Sequence, residues 1–252
     1  MMTTELPVYR ALGVKFHPVS MEDAVARIAN YIATGGFHLV VTLGTEMVMR
    51  ALEDHGFYET VERAELVVPD GIGLVLASRY CGLAAPERVA GIDLVTRLFS
   101  ELPDTTRYFL LGAAPGVAAA AAEELRTRYP TAQIVGVQDG YFEDEDAVLA
   151  AIEEADPDVL LVGMGSPRQE IWLEQHRERL NVRIGIGVGG SFDVLSGQLE
   201  RAPRWVIRLH SEWLYRLLRQ PSRWLRMMAL PRFVGRVMVS RGRAVVVEKE
   251  TT

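Results

Sequence analysis

Six short stretches of this chain are apolar without interruption, and the gaps between them are long enough to hold helices. They are FHLVVTL (37–43), ELVVP (65–69), YFLLG (108–112), QIVGV (133–137), DVLLVGM (158–164) and RIGIGVGG (183–190). A strand with one wet face alternates apolar and polar residues. A run that does not alternate belongs to a strand covered on both faces. The intervening segments carry helix signals. SMEDAVARIANYI opens at Ser20 with Asp23 three residues on, a capping-box arrangement, and PGVAAAAAEELRTRY sets Pro115 near a helix start before strong helix formers. Repeated β–α units predict a parallel sheet with right-handed crossovers, an α/β layered domain. No internal repeat or low-complexity segment interrupts this pattern.

The chain has 252 residues, 49% of them hydrophobic, enough for one sizeable core or two small ones. Cys81 is the only cysteine, so no internal disulfide can form and a reducing compartment fits. The start, MMTTELPVYR, lacks the basic and apolar regions of a secretory signal. The longest near-apolar run, Tyr108 to Ala122, is broken by Gly112, Pro115 and Gly116 and falls short of the ~20 residues that span a bilayer. These features predict a cytoplasmic protein.

The net charge of −6 hides a division. Residues 1–200 hold 15 Lys/Arg against 30 Asp/Glu, whereas residues 201–252 hold 12 against 3. A basic tail on an acidic body points to an anionic partner such as phospholipid or pyrophosphate; the plainer alternative is a solvated basic helix. On a helical wheel Arg216, Arg219, Arg223 and Arg226 share a stripe, while Trp213, Leu214, Leu217, Leu218, Trp224 and Leu225 fall on other faces. Pro221 kinks this helix or starts a second one. The expected organisation is a Rossmann-like layered domain over 1–200 and a basic amphipathic, membrane-associating appendage over 201–252. Exposed Trp and Leu on such a tail would also favour self-association in solution.

In open parallel sheets, ligands bind beyond the carboxyl ends of the strands. The six runs end in Thr42-Leu43-Gly44-Thr45-Glu46, Asp70-Gly71, Gly112-Ala113-Ala114-Pro115, Asp139-Gly140-Tyr141, Gly163-Met164-Gly165-Ser166-Pro167-Arg168-Gln169-Glu170 and Gly187-Val188-Gly189-Gly190-Ser191-Phe192-Asp193. Glycines before a helix let backbone N–H groups approach phosphate, which makes Gly112 and Gly189 candidate contacts. The dinucleotide fingerprint is incomplete, no GxxxxGK[ST] loop exists, and the histidines lack metal-ligand spacing. Asp144/Asp146 and Asp156/Asp158 read as solvated caps rather than ligands, so no metal or cofactor is expected. Asp70 is either a general base for a sugar hydroxyl or the cap of a helix starting near Gly71. Thr42 either orients an incoming hydroxyl or reflects β-propensity. Arg88 either balances a pyrophosphate or pairs with Glu87 or Asp93.

Taken in order, VVTLGTEMV, VVPDGIGLV, ERVAGIDL, LLGAAPG, GMGSPRQEIW, GVGGSFDVLSGQLERAPRW and EWLYRLLRQPSRWLR resemble the bacterial WecG/TagA/CpsF glycosyltransferases over about residues 10 to 228. The resemblance implies an inverting, metal-independent transfer of a sugar such as N-acetylmannosamine. The donor would be a UDP-sugar and the acceptor a polyprenyl-diphosphate-linked sugar, at the inner face of the cell membrane, for teichoic acid or exopolysaccharide synthesis. Under it Asp70 is the base and Thr42 its neighbour in the acceptor pocket. Arg88 and Gln169 lie near the sugar and diphosphate, Tyr141 and Asp193 contact the nucleotide, and Arg216, Arg223 and Arg226 bind diphosphate as the tail completes the site. Nucleic acid is not an expected partner. One position departs from the family pattern: Gly44 stands where Asn is usual. The alternatives are a nucleotide-sugar oxidoreductase or epimerase, against which the missing Tyr-x-x-x-Lys pair counts, and a non-catalytic binder of lipid-linked sugars.

Overall fold

The structure is a computed structural model, which describes residues 6–203, 205–206, 214–215, 217, 224 and 228–248. All six apolar runs are strands: β3 (His38–Leu43), β4 (Leu66–Pro69), β5 (Arg107–Gly112), β6 (Gln133–Gln138), β7 (Val159–Gly163) and β8 (Ile184–Gly187). They form one parallel sheet in the order β4-β3-β8-β7-β5-β6.

The reason for the uninterrupted apolar runs is visible in how neighbouring side chains part. Val41, Leu43, Val67, Leu111, Leu160 and Val162 enter one buried cluster, and Val40, Val68, Leu110, Leu161, Ile184 and Ile186 enter another. Helices α2 (Thr45–Ala51), α3 (His55–Arg63), α4 (Ile72–Tyr80), α7 (Glu145–Ala155) and α8 (Arg168–Gln175) cover the first face. The second is covered by α1 (Met21–Thr34), α5 (Gly91–Glu101), α6 (Val117–Arg128) and α9 (Ser191–Leu195). At the start of α1 the capping box forms as its residues predict. Ser20 Oγ accepts the Asp23 N–H and Asp23 accepts the Ser20 N–H, each at 3.1 Å. Asp144 caps α7 through the Ala147 N–H, and Asp158 accepts the Arg107 N–H at 2.9 Å.

A second, three-stranded antiparallel sheet joins the two ends of the chain. β1 (Tyr9–Ala11) lies between β2 (Val14–Phe16) and β9 (Val245–Val247), with Tyr9 opposite Val247. Arg10 ties this sheet to its surroundings through Glu62 at 2.9 Å and Glu248 at 3.0 Å. Before β9, α10 (Ala229–Val239) buries Phe233 and Val237 in the first core cluster against α2 and α4. The residues beyond Met228 therefore have a packing role that charge alone did not suggest.

The outer edge of β4 is protected by His17. Its backbone N–H donates to the Val67 carbonyl at 2.7 Å, and its Nδ1 accepts the Val67 N–H at 2.8 Å. Burial, with the Lys15 charge nearby, lowers the His17 pKa to about 4, so the ring is neutral at pH 7.

This packing makes two predictions. A base with a depressed folded-state pKa keeps its full contribution above about pH 6.5 and loses it as the pH falls towards 4. Native protein should therefore lose about 2 kcal/mol more stability than His17→Gln between pH 7 and pH 5, read from urea midpoints. The second concerns Gly112, whose φ is +122° and where a Cβ would stand 2.6 Å from the Gly163 carbonyl carbon. Gly112→Ala should lower the melting temperature, by about 2–4 °C per kcal/mol for a chain of this size.

Candidate active site

The carboxyl ends of β4, β3, β8 and β7 lie side by side, and the loops leaving them enclose a cleft of about 410 Å³. Thr42, Asp70, Arg88, Gln169, Gly189 and Asp193 all line it, although they come from five separate segments. The loops meet closely because of two glycines. A Cβ on Gly71 would sit 3.0 Å from the Thr45 amide nitrogen, and one on Gly91 would sit 3.2 Å from Thr42 Oγ1. Leu217 and Leu230, from the C-terminal segment, also line the cleft.

Asp70 follows β4 directly, with its backbone N–H donating to the Leu43 carbonyl at 3.0 Å. The local-cap alternative is not what forms: Gly71 caps α4 without a side-chain hydrogen bond. The carboxylate instead meets the start of a different helix, where Oδ2 accepts the Gly91 N–H of α5 at 3.3 Å. Arg88 approaches from the same side, Nε donating to the Asp70 carbonyl at 2.7 Å and Nη2 to Oδ1 at 3.5 Å. These longer side-chain contacts orient the acid without enclosing it, and a third of its side chain stays exposed. An oriented, partly desolvated carboxylate in a cleft is placed to take a proton from a bound hydroxyl. Thr42 Oγ1 donates to the Gly187 carbonyl at 3.3 Å, linking β3 to β8 beneath the cleft.

The pairings left open for Arg88 resolve through distant residues. Glu87 accepts the Met21 N–H at 3.0 Å, Asp93 pairs with Arg201 at 2.6 Å, and Arg88 pairs with Asp70. The Asp93–Arg201 pair also fastens the chain beyond α9 to the first turn of α5. Neither sequence pattern nor spacing marked Arg201 for this.

Gln169 is buried, and its side-chain oxygen accepts two backbone N–H groups at 3.0 Å, from Gly165 after β7 and from Gly189 after β8. Its amide nitrogen donates to Glu170 Oε1 at 2.6 Å. Glu170 has no exposed surface; burial raises its pKa to about 6, against hydrogen bonding by Gln169 and the nearby Ser166 hydroxyl, while the Glu46 charge adds to the rise.

Glu46 belongs to the strand-end stretch after β3 but carried no expected role. It lines the cleft, and its carboxylate fills the space beside Gly44, where a Cβ would stand 2.5 Å from Oε2. The missing side chain at 44 thus leaves room for an acid two residues on. Glu46 lies in the first turn of α2, where the helix dipole favours an acid.

Two expected contacts lie elsewhere. Gly112 packs against the Gly163 backbone between β5 and β7, and Tyr141, 75% exposed, follows β6 at the edge of the sheet; neither lines the cleft. Arg216, Arg223 and Arg226 lie outside the described residues.

Comparison with known proteins agrees with the motif order. The model of the glycosyl transferase WecG/TagA/CpsF family matches residues 9–245. The chain is 37% identical over 200 residues to an N-acetylglucosaminyldiphosphoundecaprenol N-acetyl-beta-D-mannosaminyltransferase of Bacillus spizizenii, covering 79% of this chain and 78% of that one. It is 35% identical over 201 residues to the protein of the same name from Bacillus subtilis, with the same coverage. A family match from β1 to β9, around a cleft that gathers the expected acid, arginine and glutamine, places this chain in the WecG/TagA/CpsF glycosyltransferase family.

Proposed function

We propose that this glycosyltransferase moves N-acetylmannosamine, or a sugar close to it, from a UDP-activated donor to N-acetylglucosamine carried on a polyprenyl diphosphate. The named activity of the Bacillus relatives supports the acceptor class and the transferred sugar. The single observation that carries the reading is the placement of Asp70 in the cleft, oriented by Arg88 and by the start of α5.

In this mechanism Asp70 takes the proton of the acceptor hydroxyl as the hydroxyl oxygen bonds to the anomeric carbon. The attack comes from the face opposite the diphosphate, the bond to the diphosphate oxygen breaks with its electron pair, and the configuration inverts. Charge gathering on the departing UDP is met by cationic side chains and backbone N–H groups rather than by a metal. The donor is placed across the β7 and β8 loops, and the acceptor between Thr42 and Asp70.

The acceptor's lipid requires work at a membrane surface. Among the described residues no helix is long and apolar enough to cross a bilayer. Trp205 and Trp224 are more than half exposed, in the segment carrying the basic excess. Aromatic rings beside arginines suit the headgroup layer, which supports peripheral binding to the inner membrane face.

Two experiments test this reading. Asp70→Asn should keep UDP binding by calorimetry while transfer falls about 10²–10⁴-fold, the usual contribution of a general base. Native turnover in that variant would remove Asp70 from the chemistry. Replacing Trp205 and Trp224 by Ser should reduce sedimentation with anionic liposomes and leave UDP binding unchanged; unaltered sedimentation would dissociate these rings from the membrane.

A further inference from the structure

Beneath the cleft, the backbone pairing of β7 and β8 runs to the Val188 N–H, which donates to the Val162 carbonyl at 2.8 Å. The glycine turns beyond it are bridged by a side chain. Gln169 Oε1 lies 3.0 Å from both the Gly165 and the Gly189 nitrogens, so one oxygen bridges loops that come from different strands. An amide group can turn over, exchanging its oxygen and its NH₂. Turned over, Gln169 would set two donors against two backbone donors, and the bridge would open. The two N–H donors favour the bonding orientation, and Glu170 adds to it from the other end, its Oε1 accepting from Gln169 Nε2 at 2.6 Å. An ionised carboxylate only accepts, so it dictates which end of the neighbouring amide faces it.

Among the hydrogen bonds of the described residues, the Glu170 carboxylate's short partner is the Gln169 amide. It is wholly buried, Oε2 has no hydrogen-bond partner among the described residues, and burial disfavours its charge. A buried acid left partly unsatisfied costs stability, and an apolar residue of similar size would avoid that cost. A carboxylate at this position makes sense if the orientation of Gln169 matters to the cleft. Packing leaves little slack, for a Cβ on Gly187 would stand 2.4 Å from Gln169 Nε2 and 2.6 Å from Glu170 Oε1.

We infer that Glu170 is a positioning residue: it locks the Gln169 amide, and through it fixes the spacing of the Gly165 and Gly189 loops that form the donor side of the cleft. Gln169 is on this account a strap whose side-chain oxygen is already spent on the protein's own backbone. The backbone N–H groups of Gly165 and Gly189 are likewise engaged, so the loops recognise donor through their shape and their remaining groups. The assignment of these loops to the donor rests on the function proposed above; the strap itself does not.

Exchanging the two residues tests it in the full-length chain. Gln169→Glu alone sets two carboxylates 2.6 Å apart, which can persist only by sharing a proton, with Glu46 as a further acid nearby. Its kcat/KM for UDP-sugar should fall as pH rises above neutrality, by about 10- to 100-fold through misplaced loops, with most of the change in KM. In the double variant Q169E/E170Q, the carboxylate placed at position 169 accepts both backbone N–H groups and the amide placed at position 170 donates back to it, so the alkaline loss should disappear. Amide exchange of Gly165 and Gly189, followed by NMR without ligand, should quicken in Q169E and recover in the double variant. E170M supplies a check independent of whether Q169E folds: its melting temperature should hold or rise while both glycine amides exchange faster and donor KM increases. Native exchange at both amides in Q169E and E170M, or a double variant no better than Q169E, would overturn the inference. If native protein binds no UDP-sugar, the donor assignment falls, and the exchange measurements still decide the strap.

Discussion

A six-stranded parallel sheet buried on both faces is the constraint from which the rest of this structure follows. Each strand must send successive side chains into opposite cores, so Val40 and Val41, or Leu160 and Leu161, part to different helix layers. Parallel pairing then puts every carboxyl end on one edge, with each backbone strand closed on its neighbours. At that edge the chain must turn into helices, and the apolar run has to give way to residues that can face water. Thr42, Asp70, Gly163 and Val188 stand near each other for this reason, although up to 146 positions separate them.

The edge becomes a site because contacts across loops orient it. Asp70 is held by a helix that begins 21 residues later and by an arginine between the two. Gln169 bridges two glycine turns, and Arg201 anchors the following chain to Asp93 beside them. Little of this is sheet hydrogen bonding. The sheet supplies a rigid floor, and side chains reaching between loops set the shape of what rests on it. The proposed chemistry asks for that arrangement, since inverting transfer needs the acceptor oxygen, the anomeric carbon and the departing diphosphate oxygen in one line, with a base beside the acceptor hydroxyl.

Much of the fold was legible in the residues. The six strands lie within a residue or two of the apolar runs except at the last, where RIGIGVGG extends past β8 into the turn. Double-sided burial writes itself into sequence as missing alternation, which is why that signal worked. β1, β2 and β9 were not legible. Each is three residues long, and β9 pairs with β1 from the opposite end of the chain, so no local pattern announces them. For the site, the strand-end rule located Thr42, Asp70, Gln169, Gly189 and Asp193. It also nominated Gly112, which packing between β5 and β7 explains, because glycine serves tight approach and ligand approach alike.

The sequence by itself determined the layered architecture, the edge on which chemistry would lie and the family to which the chain belongs, because hydrophobic periodicity and motif order are properties of the string. Only the tertiary structure decided partners. It paired Arg88 with Asp70 rather than Glu87 or Asp93, put the Glu46 carboxylate beside Gly44, and set the Gln169 oxygen between the Gly165 and Gly189 backbone N–H groups. A charged or amide side chain has several acceptable partners within reach of its sequence neighbours. Which one it meets depends on how separate strands are stacked, and residue spacing along the chain does not encode that distance.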